Sequence, residues 1–132
     1  MAKTASEMRR KGWPDEEMAG YRPWQAIKRY EQDQRLSIKR ERALEIARKA
    51  ATELKERFGA SRVVLFGSLV HRKWFTPRSD IDLLVDGLAL ETFSRAEATL
   101  ESLTSEFKVD LVDPRECSPE LLSRIQQQGL EL

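Results

Sequence analysis

Two short stretches decide the fold: Val64-Leu65-Phe66-Gly67-Ser68 and, farther along the chain, Ser79-Asp80-Ile81-Asp82-Leu83. The first closes a β-branched and apolar run, residues 62–66, which is typical of a buried strand. In the second, acidic and apolar residues alternate, which predicts a strand with both aspartates on one face. The sequence therefore predicts two strands, with polar residues after the end of the first and around the start of the second.

The elements around these strands follow from apolar spacing and from residues that begin or end helices. Leu44, Ala47, Ala51, Leu54 and Phe58 recur at spacings of three and four, which predicts one buried helix face. The order of elements predicts an α+β or α/β fold, a small mixed sheet of three to four strands flanked by helices. Three further helices are predicted, from about 32 to 58 with Gly59 at its end, over 91–106, and from Ser118-Pro119 to Gly129. A third strand is predicted over 109–112, and residues 130–132 could add a small edge strand.

Residues 1–31 are predicted to form an N-terminal aromatic and basic arm, with helical character, and residues 32–132 the folded domain. Trp13 and Trp24 lie in this arm without clean periodicity, and prolines such as Pro23 interrupt helices. Aromatic side chains on an irregular segment need a surface to pack against. That surface is either the flank of the domain itself or another chain.

Composition and charge exclude several classes of protein. The chain has 132 residues, 40% hydrophobic and 34% charged, which fits one globular domain and argues against disorder. No apolar run approaches the roughly 20 residues that span a bilayer, and the first residues lack the apolar core of a signal peptide. The single cysteine, Cys117, can form no internal disulfide, so a cytoplasmic protein is expected.

The net charge of +1 conceals an asymmetry, because residues 1–58 carry +5 and residues 59–132 carry −4. The basic part is either a solvated helix face or a surface for a partner. An excess this diffuse does not indicate binding to nucleic acid.

Asp80 and Asp82 are the first candidates for chemistry. Two residues apart on one strand face, their Cα atoms are about 6.6 Å apart, so the carboxylates can lean together and repel unless a cation lies between them. Such oxygen-rich sites suit Mg²⁺ or Mn²⁺, and a close pair can hold two ions about 3.5–4 Å apart. The alternative is that both aspartates line the wet face of a half-buried strand.

Gly67 and Ser68 are the second candidates, at the end of the first strand. If a short helix begins there, its free backbone N–H groups form an anion site, to which a glycine allows close approach and a serine adds a hydrogen bond. The alternative is an ordinary strand-to-helix turn with Ser68 as a helix cap.

Asp110 is the third acid, flanked by apolar residues of the strand 109–112. A charge in that position is costly unless it faces water, a partner or a metal. If this strand neighbours the second, Asp110 faces the same site as Asp80 and Asp82. Asp113, next to a proline, is expected to mark the end of the strand.

The loop between the two motifs offers weaker candidates. His71 is either loop surface or a contact of a triphosphate, and Trp74-Phe75 either anchors the loop or stacks on a base. The cations of the loop either neutralise phosphate or are simply solvated: Arg72, Lys73 and Arg78.

Together these residues resemble the nucleotidyltransferase superfamily that includes DNA polymerase β. Its signature is Gly-Ser, a spacer of about ten residues, Asp-x-Asp and a third acid on a later strand. Here the spacer has eleven residues, 69–79, and the resemblance covers about residues 43–132. With no room for a second substrate domain, the chain resembles a minimal nucleotidyltransferase (MNT).

This resemblance implies transfer of a nucleoside monophosphate, commonly AMP from ATP, to a hydroxyl with release of pyrophosphate. Asp80 and Asp82 would hold two Mg²⁺ ions, Asp110 would complete the site, and Gly67 and Ser68 would bind the β- and γ-phosphates. MNT proteins are commonly antitoxins that inactivate HEPN-domain ribonuclease toxins by attaching AMP, typically to a tyrosine.

Two other functions stay open at this point. One is modification of a small molecule, as in aminoglycoside nucleotidyltransferases, although those usually carry an extra helical domain. The other is a binding module that neutralises its partner by contact alone, against which the complete set of motif residues argues.

Overall fold

The computed structural model describes residues 23–132, and side chains from residue 26 onward. Contacts between Cα atoms divide the chain after Ser37, and residues 38–132 form one compact unit. In chain order the elements are α1 (Pro23–Phe58), β1 (Arg62–Phe66), β2 (Ile81–Asp86), α2 (Leu90–Glu101), β3 (Val109–Val112), a 3-10 helix (Pro114–Glu116), α3 (Pro119–Gln128) and β4 (Leu130–Glu131).

The four strands form one mixed sheet in the order β3-β2-β1-β4. The neighbours β1 and β2 are antiparallel, as are β1 and β4, whereas β2 and β3 are parallel. This confirms the predicted small mixed sheet flanked by helices. It also makes β2, the strand that begins after Asp80, a central strand between β1 and β3.

The two faces of the sheet have different roles. Val64 on β1, Leu84 on β2 and Ile125 on α3 form one buried cluster, so α3 covers this face. Strand side chains alternate, so Phe66 and Asp82 lie on this same face, and Phe66 packs against the edge of the cluster. The opposite face is buried, and α1 and α2 supply further core residues, among them Ala47, Leu54, Ala96 and Leu100.

Helix α1 begins earlier than the sequence indicates, at Pro23 rather than near residue 32. Proline is accepted in the first turn of a helix because its missing N–H has no partner there. The helix therefore includes residues 23–31 of the predicted arm, while the rest of the arm, with Trp13, lies outside the described residues. The buried stripe is also rotated slightly, since Ala43 and Ala50 are buried where Leu44 and Phe58 are only partly so.

The end of the chain confirms its predicted elements. The Ser118 side chain accepts a hydrogen bond from the N–H of Leu121, and Gly129 ends α3. A Cβ on Gly129 would lie 2.5 Å from the carbonyl oxygen of Ile125 and 2.6 Å from Val64 Cγ1, so only glycine lets β4 turn back onto β1. Helix α2 is shorter than predicted and ends at Glu101. No described helix combines the length and apolarity needed to cross a bilayer.

Candidate active site

Gly67 forms a left-handed turn at the end of β1, with φ of +84°. A Cβ at this position would lie 2.6 Å from Oδ2 of Asp82, so the backbone of the turn passes directly over that carboxylate. No helix begins after Ser68, since residues 67–80 form only turns, bends and irregular backbone. Any anion bound here therefore meets a backbone turn, not the N-terminus of a helix.

Ser68 and Ser79 join the two motifs directly. The Ser68 hydroxyl donates to Oγ of Ser79 over 2.9 Å, and the same oxygen accepts from the N–H of Thr76, also over 2.9 Å. These bonds tie the loop that separates the motifs at its two ends. Sequence reasoning gave Ser79 no role, although its position directly before Asp80 was a usable signal.

Two cations of α1 hold the same loop from outside. Arg40 donates through Nε to the carbonyl of Leu69 at 3.1 Å and through its terminal nitrogen to the carbonyl of Val70 at 3.2 Å. Lys39 donates to the carbonyl of Pro77 at 2.8 Å. Nothing in the sequence pointed to either residue, because both contacts depend on how the helix and loop meet in space.

The three acids come from β2, β3 and the residues before β2. Asp82 and Asp110 are partners in the parallel register of β2 and β3, which places their Cα atoms about 4.8 Å apart. Asp80 lies two residues before Asp82, and all three side chains are half-buried. Burial, followed by repulsion from Asp110 and Asp80, raises the pKa of Asp82 to about 6. The carboxylates are therefore close enough to destabilise one another's charge.

The donor set fits a magnesium site in its chemistry. Carboxylate oxygens are the ligands that Mg²⁺ and Mn²⁺ prefer, and a cation would relieve the repulsion around Asp82. The carboxylates are not arranged as a complete set of metal ligands, and Asp110 Oδ1 instead lies 3.5 Å from Lys108 Nζ. Within residues 26–132, no three His, Cys, Asp or Glu side chains are arranged to hold an ion together.

Asp113 has a structural role that agrees with its predicted place at the end of β3. It is only 6% exposed, and both carboxylate oxygens accept from Nε of Arg115, at 3.0 and 3.1 Å. This side-chain hydrogen bond is the main cause that lowers the pKa of Asp113. The neighbouring Cys117 thiol is partly buried, and burial raises its pKa, which fits an unreactive thiol.

A cavity of about 270 Å³ adjoins the Gly67-Ser68 turn. The predicted aromatic pair divides here: Phe75 is buried and anchors the loop, whereas Trp74 is 58% exposed and borders the cavity. The His71 ring packs on Trp74 with 4.2 Å between the ring centroids. The cavity is lined by Phe66, Gly67, Ser68, His71, Trp74, Leu121, Arg124, Ile125 and Gln128.

The comparisons with known proteins agree with this geometry. The family model described as polymerase beta nucleotidyltransferase matches residues 48–132. A solved structure provisionally assigned as a minimal nucleotidyltransferase is 31% identical over 76% of this chain and 96% of that chain, with a TM-score of 0.51. None of the curated proteins compared with this chain matches it.

Two further solved structures come from toxin–antitoxin pairs. One, crystallised with AMP-PNP, is 27% identical over 63% of this chain and 69% of that chain, with a TM-score of 0.51. The other, a tri-AMPylated HEPN toxin of Shewanella oneidensis in complex with MNT antitoxin, is 23% identical over 73% of this chain and 70% of that chain. Its TM-score of 0.41 is too low to support a conclusion about this chain.

Proposed function

We propose that this chain, which belongs to the polymerase beta nucleotidyltransferase family, transfers AMP from ATP to a hydroxyl group of a partner protein. The observation that carries the proposal is the contact between the Gly67 turn and Asp82. It places a backbone turn suited to phosphate against a carboxylate suited to a cation. A triphosphate bound on the turn would therefore present its phosphorus atoms to the acids.

The turn would hold the β- and γ-phosphates. Gly67 has no side chain to keep a phosphate away, and successive backbone N–H groups in a turn form a concave anion site. The Ser68 hydroxyl is engaged with Ser79, so its part is to fix the shape of the turn. Arg40 adds to that fixation, because its two hydrogen bonds restrain the residues directly after Ser68.

The acids would hold the metal and position the acceptor. Asp80 and Asp82 would bind two Mg²⁺ ions, or Mn²⁺, and Asp110 would complete the site. When bound, such ions neutralise phosphate charge and lower the pKa of a coordinated hydroxyl. Asp110 would orient that hydroxyl and accept its proton, while the opposite charge of Lys108 beside it limits the repulsion between the acids. Transfer then depends on in-line positioning and charge neutralisation.

The proposed partner is a HEPN-domain toxin, with this chain as its antitoxin. Support comes from the likeness to a toxin–antitoxin structure at a TM-score of 0.51 and from the resemblance to minimal nucleotidyltransferases. Within the first turns of α1, Ile27 and Tyr30 are 60% and 64% exposed and three residues apart, so they lie on one side of the helix. Such exposed apolar side chains suit contact with another protein.

The test is to purify the protein with the product of its neighbouring reading frame and to supply ATP with Mg²⁺. We expect the partner to gain the mass of AMP in intact-protein mass spectrometry. Asp82→Asn should abolish this gain, whereas Asp86→Asn, at the other end of the same strand, should retain it.

The same experiment separates the other two functions. A small-molecule transferase would leave both chains unmodified and consume ATP only with an added acceptor. A module that acts by contact alone would inhibit its partner equally well with or without Asp82 and ATP.

A further inference from the structure

We infer that the cavity beside the Gly67-Ser68 turn binds the adenine base of the nucleotide, with Trp74 as the stacking surface and Gln128 as the residue that recognises the base. This inference rests on the proposed function and adds to it a base-binding subsite. The cavity of about 270 Å³ lies just below the range of about 300–1,000 Å³ usual for ligand pockets. It therefore suits a ring system and is small for a folded peptide segment.

The cavity lies on the same face of the sheet as the acids. Phe66, which lines it, is the register partner of Asp82, and paired residues on neighbouring strands point to the same side. Gly67 and Ser68 form another part of its wall. A nucleotide with its phosphates on this turn would therefore have the cavity immediately beside it.

The wall formed by Trp74 is suited to stacking. Phe75, its neighbour in the chain, is only 4% exposed and fixes the loop, yet Trp74 remains 58% exposed. The His71 ring supports Trp74 from one side, tilted by 53°. An exposed indole held in place by a second ring offers a flat surface, and base–aromatic stacking is a common source of affinity for nucleotides.

Helix α3 supplies the opposite side. Leu121 and Ile125 make it apolar, as a stacked ring requires. Gln128 and Arg124 lie four residues apart, and so share one helix face, with both side chains exposed. Among residues 26–132, neither side chain has a hydrogen bond or ion pair to another side chain or to the backbone, so both remain available to a ligand.

The chemistry of Gln128 favours adenine. A carboxamide offers one acceptor and one donor side by side, which matches the amino group and the adjacent ring nitrogen of adenine. At the N7 edge, where adenine presents its amino group beside N7, guanine presents the two acceptors O6 and N7, so neither orientation of the amide makes both hydrogen bonds. The tyrosine of a protein acceptor is the competing occupant, but its single hydroxyl would hydrogen-bond to only one of the two polar groups of the amide.

The first test measures equilibrium binding of ATP and of inorganic tripolyphosphate to the full chain by calorimetry with Mg²⁺. Trp74→Ala should weaken ATP binding at least tenfold and leave the affinity for tripolyphosphate within twofold of wild type, because only ATP carries a base. Trp74→Phe should recover most of the loss. The matched control is Leu90→Ala, which removes a side chain that is 60% exposed on α2 and should change neither ligand.

The second test measures ATP against GTP. Gln128→Leu should reduce the preference for ATP at least threefold, while tripolyphosphate binding stays unchanged. An equal loss of affinity for ATP and for tripolyphosphate in Trp74→Ala would overturn this inference. Unchanged ATP binding in Trp74→Ala would also overturn it, and is the result expected if the cavity holds the acceptor. If wild-type protein binds neither ligand, the proposed function fails along with this inference. If the wild-type protein binds both ligands and only the Trp74 and Gln128 variants give results other than those expected, this inference fails and the proposed function stands.

Discussion

A Cβ on Gly67 would lie 2.6 Å from Oδ2 of Asp82, which is closer than such atoms approach in folded proteins. The turn after β1 and the carboxylate on β2 are therefore in contact, although fifteen positions separate them in the chain. This contact explains why a glycine stands at the first position of the Gly-Ser pair. The residue provides both a left-handed backbone and the space that the carboxylate occupies.

Gly67→Ala should abolish transfer through this contact. The new methyl group must displace the Asp82 carboxylate, and the left-handed backbone adds a cost of about 1–2 kcal/mol. Gly59→Ala is the matched control, since Gly59 has a similar φ of +77° but nothing within 4 Å of an added Cβ. Both variants should have a lower melting temperature, Gly67→Ala by at least as much as Gly59→Ala, and only Gly67→Ala should lose activity. Equal activity in the two variants would contradict the role assigned to the contact.

Asp82→Asn should abolish transfer without unfolding the protein. The amide keeps the shape of the side chain but removes a charge that burial and two neighbouring carboxylates destabilise. In EDTA its melting temperature should therefore equal or exceed that of the wild type. Activity within about tenfold of wild type, which is about 1.4 kcal/mol of transition-state stabilisation, would show that Asp82 is not an essential ligand.

ATP should stabilise the protein far more with Mg²⁺ or Mn²⁺ than with EDTA. A ligand that binds only the folded state at a hundred times its Kd adds about 2.7 kcal/mol to the free energy of unfolding. Without a divalent cation, the triphosphate would meet three carboxylates whose charge Lys108 offsets only in part, and it would bind weakly. Thermal shift assays in both buffers measure the difference, and identical shifts would argue against a metal site at these acids.

Arg40→Met should raise the KM for ATP more than it lowers kcat. The guanidinium restrains the carbonyl groups of Leu69 and Val70, so its loss should loosen the turn that binds phosphate. Arg48→Met removes an equivalent charge from an exposed position of α1 and should leave KM unchanged. Amide hydrogen exchange across residues 68–79 should be faster only in the Arg40 variant. Unchanged exchange with an unchanged KM would show that the hydrogen bonds do not position the loop.

Asp113→Asn should lower the melting temperature by a few degrees at neutral pH and by progressively less in acid. The hydrogen bond from Arg115 holds the pKa of Asp113 below its ordinary 3.8, so the stabilisation is present above about pH 4. It is lost as the pH falls through the lowered value, where the carboxyl in the folded protein takes up a proton. Melting curves of both proteins between pH 3 and 8 should therefore converge at the acid end. A constant difference across that range would exclude the ion pair as its cause.

Local sequence determines much of this protein. Strands β1, β2 and β3 follow from short apolar runs, and Ser118, Pro119 and Gly129 delimit α3, because strand alternation and helix capping depend on residues close in the chain. The same holds for the candidate residues that the motifs name. The sequence predicts Asp110 beside Asp82 only if β3 neighbours β2. The structure shows these two strands paired in parallel, with Asp82 opposite Asp110.

Tertiary structure decides the rest. The contacts of Arg40 with Leu69 and Val70 join residues about thirty positions apart, and no local pattern records which helix face meets which loop. The same is true of Trp74 and Phe75, adjacent in sequence yet exposed and buried, and of Ser68, which ends in a turn where a helix was considered. Burial and loop conformation depend on distant surfaces that exist only after the chain has packed, so local spacing can propose the residues of a site but not the contacts that hold them in place.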